Sequence, residues 1–227
     1  MPNRWATSRT LLVLVASIVL VNTAITAIKW GVADWYWSNA VADMDDWNAQ
    51  HDSINYRSGN EWSKTRDTLL AAQQLESGSP TILETLGMLH VQPVAYPEGT
   101  TQWLLGEALN YFRHALIVRP VSPYTWSNIA LTKYRLGEID NDLYHALEQS
   151  IALGPWEPEV QFVAADLGFA LWDEMPSSLR ESVAQTVERA ARYHANKIIR
   201  MAENRGRLFI VCKYEKFANE KVCSRKL

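Results

Sequence analysis

Side chains that could do chemistry are scattered along this chain of 227 residues. The sequence contains five histidines: His51, His90, His114, His145 and His194. They form neither a helical pair four residues apart nor a cluster with Cys or Asp at metal-ligand spacing. His90 occupies a repeat position, described below, where packing explains it better than metal ligation. The sequence therefore predicts no metal site and no cofactor.

The carboxylates give only a weak indication of catalysis. Asp43, Asp45 and Asp46 lie close together, but they lack the Gly and the longer ligand series of a calcium-binding loop. Glu157 and Glu159 lie beside a tryptophan, an arrangement that could act on a glycosidic bond, although an acidic helical protein offers such pairs by chance. Glycine-rich phosphate loops and nucleophile elbows are absent from the sequence. We expect a protein that is not an enzyme.

Aromatic residues are the sharper candidates for binding: Tyr124, Trp126, Trp156, Phe162 and Trp172. Their rings can stack on sugars or bury peptide side chains, and they can equally pack between helices. Trp156 differs from the others because it lies in the turn LGPWEP, and turns are exposed and often functional. The residues that we select as candidate binding residues are Arg119, Tyr124, Trp156 and Glu157.

Residues 11–28, from Leu11 to Ile28, form an uncharged run, LLVLVASIVLVNTAITAI. At ~1.5 Å per residue this run covers about 27 Å, close to the thickness of the bilayer hydrocarbon core. Asn22, Thr23 and Thr26 can bond back to the helix or to a neighbouring span. We predict a transmembrane anchor over residues 11–30. It should be retained, because the best candidate cleavage site, Ala24 to Ala27, is one residue too long.

The charges around the anchor predict its orientation. Arg4 and Arg9 precede it, whereas acidic residues dominate after Lys29. The positive flank stays in the cytoplasm, so residues 1–10 should form a cytoplasmic tail and the remainder should lie in the periplasm. We therefore expect a single-pass protein of the inner membrane, in contact with the lipid bilayer.

The C-terminal region differs from the rest of the chain in charge and in cysteine content. Residues 192–227 contain ten Lys and Arg against three Asp and Glu, whereas residues 1–191 contain 12 against 22. This basic end could meet an anionic glycan, lipid headgroups or an acidic partner, or it could simply be solvated. Nothing indicates a nucleic-acid partner. Cys212 and Cys223 could form a disulfide in an oxidising compartment, or they could remain two thiols.

The chain also contains helical repeats. Ala108, Phe112, Ala115 and Pro120 match all four positions of the Ala-x3-Phe-x2-Ala-x4-Pro pattern that ends a tetratricopeptide unit. The small residues allow the helices to approach closely, and the proline ends the second helix. Residues 83–90 fit the first helix of this unit.

A second repeat unit follows immediately. Ser122 is the expected N-cap and Pro123 the first residue of the next helix, which ends at Leu136-Gly137. The helix that pairs with it reaches Pro155. Weaker helix pairs are predicted at 38–56 with 61–76, and at 158–174 with 178–204. Residues 208–213, LFIVCK, are either a short strand or an apolar clasp on the last helix.

The stretches RPVSPYTW (119–126) and LGPWEPEVQ (153–161) resemble those of VpsP-type proteins, which belong to bacterial exopolysaccharide biosynthesis operons. The resemblance covers about residues 80–175 and supplies no catalytic residues. It implies a role in making or exporting a surface polysaccharide.

Together these patterns predict an all-α, tetratricopeptide-like helical domain over residues 31–204, behind the anchor, with a basic tail over 205–227. We expect a scaffold that binds inner-membrane polysaccharide polymerase or export proteins. The alternatives are a module that binds glycans directly and an accessory subunit of another membrane complex.

Overall fold

The computed structural model describes residues 4–49, 58–93 and 100–213, together with Cys223. These residues form nine α-helices and no strand. The helices are α1 (Arg4–Ala49), α2 (Gly59–Leu75), α3 (Pro80–His90), α4 (Thr100–Val118), α5 (Pro123–Leu136), α6 (Asn141–Leu153), α7 (Pro158–Ala170), α8 (Ser177–Asn204) and α9 (Leu208–Val211). The predicted all-α class is confirmed for this part of the chain.

The chain divides into two compact units. The first consists of Met1–Leu89 with Pro93–Ala95, and the second of His90–Gln92 with Tyr96–Leu227. The division falls inside the range 31–204 for which the repeat pattern predicts one helical domain. The sequence predicted that residues 83–90 and 104–119 form one helical repeat. Helix α3 lies mainly in the first compact unit, whereas α4 lies in the second.

Helix α1 is one continuous helix of 46 residues. Its length is about 69 Å at a rise of ~1.5 Å per residue, more than twice what a bilayer core needs. The sequence predicted a break between the anchor and a helix starting near residue 38. No break occurs, because residues 31–37 contain no proline and only one glycine, which a helix tolerates.

The N-terminal part of α1 is long and apolar enough to cross a membrane. Its most apolar window has a mean hydropathy of 2.5, and none of that window is buried in the structure. The polar side chains within it bond to their own helix: Asn22 Nδ2 donates to Ile18 O at 2.9 Å, and Thr26 Oγ1 donates to Asn22 O at 2.9 Å. The helix therefore satisfies these groups without a neighbour.

Within the first unit, the second half of α1 packs against α2. Ala33, Ala40 and Met44 are buried on the face of α1 that meets α2. Trp62 of α2 is almost completely buried and donates its indole N–H to Leu89 O at 3.0 Å. In the same way Trp37 of α1 donates to Thr85 Oγ1 of α3 at 2.9 Å. Tryptophan fits these positions because it fills space and still has its N–H satisfied.

Helix α5 starts and stops where its sequence signals predict. The side chain of Ser122 accepts the Thr125 N–H, and Pro123 occupies the first helical position. Gly137 ends the helix with a φ of +77°, a left-handed conformation that costs glycine nothing. The predicted N-cap and interhelical turn are confirmed.

The second unit is built from helical hairpins. Helix α5 packs on α6, and α7 packs on α8, while α4 covers α5 and α5 also meets α7. Phe112, Leu147 and Phe169, from three different helices, lie fully buried in one continuous core. Gly168 allows the closest approach, because a Cβ atom there would lie 2.2 Å from Val183 Cγ1 of α8.

The C-terminal helices belong to this core. Helix α8 is kinked at His194, whose φ of −130° and ψ of 39° are not helical. The LFIVCK segment contains the short helix α9 rather than a strand, and Leu208, Ile210 and Val211 are buried against α8. Cys212 is joined to Cys223 by a disulfide, with the two Cα atoms 5.5 Å apart. Cys223 is itself buried.

Candidate functional site

Tyr124 and Glu157 come together where α5 and α7 begin. The Tyr124 hydroxyl donates a hydrogen bond to the Glu157 carboxylate. This bond to the carboxylate is the main cause that raises the pKa of Tyr124 to about 12, followed by burial and by the negative charges of Glu157 and Glu159. Tyr124 is therefore a neutral phenol throughout the physiological range.

The close approach of the turn before α7 to the start of α5 positions Tyr124 and Glu157 next to each other. Gly154 lies in the turn before α7, and a Cβ atom there would lie 2.6 Å from Pro123 Cβ. The turn then folds back on itself, since Glu157 N donates to Gly154 O at 3.2 Å. Gln161, one turn into α7, donates its side-chain amide to Pro155 O at 2.9 Å. Glycine at 154 thus allows the start of α5 to touch the LGPWEP turn.

Trp156 extends from the same turn into solvent, and 64% of it is exposed. The guanidinium carbon of Arg189, on α8, lies 5.6 Å from the centroid of the Trp156 ring. Arg189 also donates to Thr186 Oγ1 at 3.0 Å, which fixes the guanidinium in place. A cation over one face of the indole leaves the other face for a ligand.

Arg119 joins this region through the backbone. It follows α4 directly, and its carbonyl accepts the Ser122 N–H at 3.3 Å, immediately before Tyr124. Its side chain is half-buried. The structure therefore brings Tyr124, Trp156 and Glu157 onto one surface, with Arg119 in the turn that leads to it. We call these four residues and Arg189 the turn surface.

Two other charged clusters in the second unit hold neighbouring helices together, and the first of them is centred on Lys133. The Lys133 side chain is only 3% exposed, and its ammonium lies 2.8 Å from Glu138 and 3.0 Å from Asp140. Asp140 also accepts the Leu143 N–H as the N-cap of α6. Burial alone would raise the pKa of Asp140, but these hydrogen bonds and the Lys133 charge lower it overall.

Part of the basic C-terminal region is already paired with the body of the protein. Arg205 binds Asp166 through two hydrogen bonds of 3.0 Å each, and Arg207 Nη2 lies 2.6 Å from the Asp173 carboxylate. Arg207 also donates to Phe169 O at 3.3 Å. These arginines attach the end of α8 to α7, so they are not free to meet an outside anion.

Two clefts in the second unit are large enough to hold small molecules or side chains. One, of about 390 Å³, lies between the end of α7, the start of α8 and α9, with Trp172 and Arg180 in its lining. The other, of about 260 Å³, lies among α4, α5 and α6, and Trp126 and His145 line it. Among the described residues, no group of three or more His, Cys, Asp or Glu could hold a metal ion.

His90 and His145 differ in burial and in the aromatic ring that each contacts. His90 is buried, with its ring centroid 5.2 Å from that of Tyr111, as its predicted packing role requires. His145 is exposed and meets the edge of Trp126 at 5.5 Å. Trp126 in turn donates its indole N–H to Pro120 O at 2.9 Å, so this residue stabilises the turn between α4 and α5.

No protein-family model matches the sequence, and no curated protein matches it.

Residues far apart in the sequence supply the features that sequence reasoning missed. Arg189 lies 33 positions after Trp156, and Arg180 of α8 shares a cleft with Lys213, which follows α9. Neither pairing follows a helical period, so no local pattern could have revealed it. The excess of basic residues after position 191 includes Lys213 but neither Arg180 nor Arg189, so it could have indicated only one of these residues.

Proposed function

We propose that this protein is a membrane-anchored adaptor, in which helical hairpins hold a partner protein beside the inner membrane during the synthesis or export of an exopolysaccharide. The observation that carries the proposal is α1, which combines an apolar half with no protein cover and a half that packs into the first unit. An adaptor that works at a membrane needs such a tether.

The hairpins of the second unit support a tetratricopeptide-like arrangement. Successive helices pack as pairs, α5 with α6 and α7 with α8, and equivalent helices of the two pairs, α5 and α7, meet side by side. Stacked pairs of this kind form grooves that hold extended segments of partner proteins. The turn surface lies where α5 and α7 begin, which makes it the contact region we propose.

The disulfide supports a periplasmic body. Disulfides persist in oxidising compartments and are rare in the cytoplasm. The bond between Cys212 and Cys223 belongs to the second unit, so that unit is expected outside the cytoplasm. Arg4 and Arg9 before the apolar segment favour the same orientation. The resemblance to VpsP-type proteins supplies the expected process and the expected partners, polysaccharide polymerase or export proteins of the inner membrane.

The adaptor role is tested by cross-linking in intact cells, followed by purification of the full chain in mild detergent. We expect membrane partners of the polysaccharide machinery to co-purify with the native chain. Trp156→Ala should reduce their recovery severalfold, because aromatic residues at exposed contact sites contribute strongly to binding.

Trp103→Ala is the matched control for this experiment. Trp103 is 56% exposed on α4, similar to Trp156, but it lies outside the turn surface. Recovery with Trp103→Ala should equal that of the native chain. Purification of the native chain alone, with no cross-linked partner, would contradict the adaptor proposal.

Direct binding of a glycan is the second candidate function, and exposed Trp156 with Arg189 over its ring favours it. An acidic polysaccharide should bind in a salt-sensitive manner and should bind less well to Trp156→Ala than to Trp103→Ala. Truncation before Arg192 is unsuitable as a test, because Ile198, Ile199 and Ala202 beyond it are core residues. Equal binding by both tryptophan variants would exclude the turn surface as the glycan site.

A further inference from the structure

The cleft of about 390 Å³ beside α9 has the composition of a binding site for a small acid. Its volume falls within the roughly 300–1,000 Å³ that small-molecule sites occupy. Trp172 and Ile210 supply apolar surface, and Ser177, Arg180, Glu181 and Lys213 supply polar groups. We call it the α8 cleft.

Arg180 is the most informative residue of the α8 cleft. Its Nε is buried and has no hydrogen-bond partner among the described residues. A buried guanidinium nitrogen without a partner is costly, because the protein has removed it from water without replacing the lost hydrogen bond. The planar guanidinium presents paired N–H groups that fit a carboxylate. A carboxylate in the α8 cleft would lie beside this guanidinium and compensate its charge.

The charges of the α8 cleft fit a ligand with one negative charge. Arg180 and Lys213 contribute two positive charges and Glu181 one negative charge, which leaves one net positive charge. A phosphate with two charges would meet repulsion from Glu181. The start of α8 adds partial positive charge, because the helix has neither a side-chain cap nor an acidic residue in its first turn.

We propose that the α8 cleft binds a small monocarboxylate with a ring-shaped body. The carboxylate pairs with Arg180 and Lys213, and the ring lies against Trp172 and Ile210. Either an aromatic acid or a uronic sugar has this chemistry. With a sugar, Glu181 would accept hydrogen bonds from the hydroxyl groups and Ser177 would donate one to them. The ring of an aromatic acid would leave both side chains without a partner in the ligand. This site does not depend on the adaptor role.

The test compares two matched pairs of probes by ligand-observed NMR and calorimetry, with the full chain in detergent micelles. Each acid is paired with a neutral analogue: methyl β-D-glucuronide with methyl β-D-glucoside, and benzoate with benzamide. We expect at least one acid to bind saturably, about tenfold more tightly than its neutral partner, and less tightly at high salt. The acid that binds more tightly identifies the type of ligand.

Variants then assign the binding to the cleft. Arg180→Gln should weaken binding of that acid about tenfold, because it removes a charge-assisted pair. Lys213→Gln should weaken it severalfold and affects only an exposed side chain, so it remains usable if Arg180→Gln fails to fold. Arg192→Gln is the control, since Arg192 is exposed on the same helix and pairs with Glu188 at 3.2 Å.

Three results would overturn the proposal. The first is the absence of saturable binding by both acids. The second is equal binding of each acid and its neutral analogue. The third is binding that is unchanged in both Arg180→Gln and Lys213→Gln.

Discussion

Two apolar helical segments of this chain meet opposite environments. Residues 11–28 of α1 are exposed throughout, and Leu20 is 69% exposed. Helix α7 is also rich in apolar residues, but Leu167 is 0% exposed because α5, α6 and α8 surround it. Apolar surface is stable only where water is excluded. The α7 segment finds that condition inside the protein, whereas the α1 segment is long and apolar enough to find it in a membrane.

The same contrast occurs within α1. After residue 32 its buried residues are Ala33, Ala40 and Met44, spaced so that they lie on one face toward α2. Before that point no residue with a described side chain is buried. One continuous helix thus runs from a segment without protein contacts at its described side chains into a packed interface with α2.

The largest effect should come from truncating a leucine in the covered segment. Leu167→Ala should lower the free energy of unfolding by about 2–5 kcal/mol, because it leaves a cavity in the core. The comparable change in the uncovered segment, Leu20→Ala, should alter it by less than about 0.5 kcal/mol. Urea unfolding of both variants in micelles measures the difference. Equal losses would mean that Leu20 is covered by protein.

A charge should make the uncovered segment sensitive to substitution. Leu20→Arg should oppose membrane insertion by about 3–4 kcal/mol, since Leu20 lies near the middle of the apolar run. The fraction of chain in the membrane pellet measures insertion, and Leu20→Ala is the control. A pellet fraction unchanged by arginine would indicate that this segment does not enter the lipid.

Two glycines test how closely the covered helices pack. Gly168→Ala should destabilise the second unit by about 1–3 kcal/mol, because its Cβ would lie 2.2 Å from Val183 Cγ1. Adding Val183→Ala should recover part of that loss. Gly106→Ala on α4 meets no atom within 4 Å and should instead stabilise by about 0.5–1 kcal/mol. Thermal unfolding distinguishes the two signs, and a neutral Gly168→Ala would contradict the packing of α7 on α8.

Acid should remove the contribution of Asp140. Its pKa is lowered in the folded protein, so its stabilisation is present above its ordinary pKa and is lost as pH falls through the lower folded value. Asp140→Asn keeps an N-cap side chain but removes the charge. The variant should therefore be less stable than the native chain at neutral pH and equal to it well below about pH 4. A difference independent of pH would exclude the ion pair with Lys133 as its cause.

The smallest effect concerns the turn surface. Glu157→Gln should lower the pKa of Tyr124 from about 12 toward the ordinary value of about 10, because it removes the charged acceptor. Ultraviolet titration of tyrosinate measures the change, with Tyr124→Phe identifying its signal among the nine tyrosines. An identical titration curve in Glu157→Gln would mean that the two side chains are not bonded in solution.

Local signals in the sequence predicted the helices well. Ser122 with Pro123, and Gly137, defined α5 at both ends, because capping and left-handed glycine act within a few residues. The LFIVCK segment stayed ambiguous since a run of this length shows neither helical nor strand periodicity. The kink at His194 was missed because neither proline nor glycine accompanies it.

The candidate site was only partly predictable. The exposed turn identified Trp156 and Glu157, since glycine and proline around them indicate a loop. Their contacts depend on how distant helices pack: Tyr124 reaches Glu157 across 33 positions, and Arg189 reaches Trp156 from α8. Tertiary packing of this kind leaves no trace in local spacing, and the same is true of the α8 cleft.

The most direct test of the anchored adaptor is protease treatment of intact spheroplasts from cells that express the chain with an N-terminal epitope tag. We predict that the protease digests the helical body and leaves a short tagged fragment, which sediments with the membrane. A full-length tagged chain that is cleaved only after the spheroplasts are lysed, or that is recovered in the soluble fraction, would contradict this account.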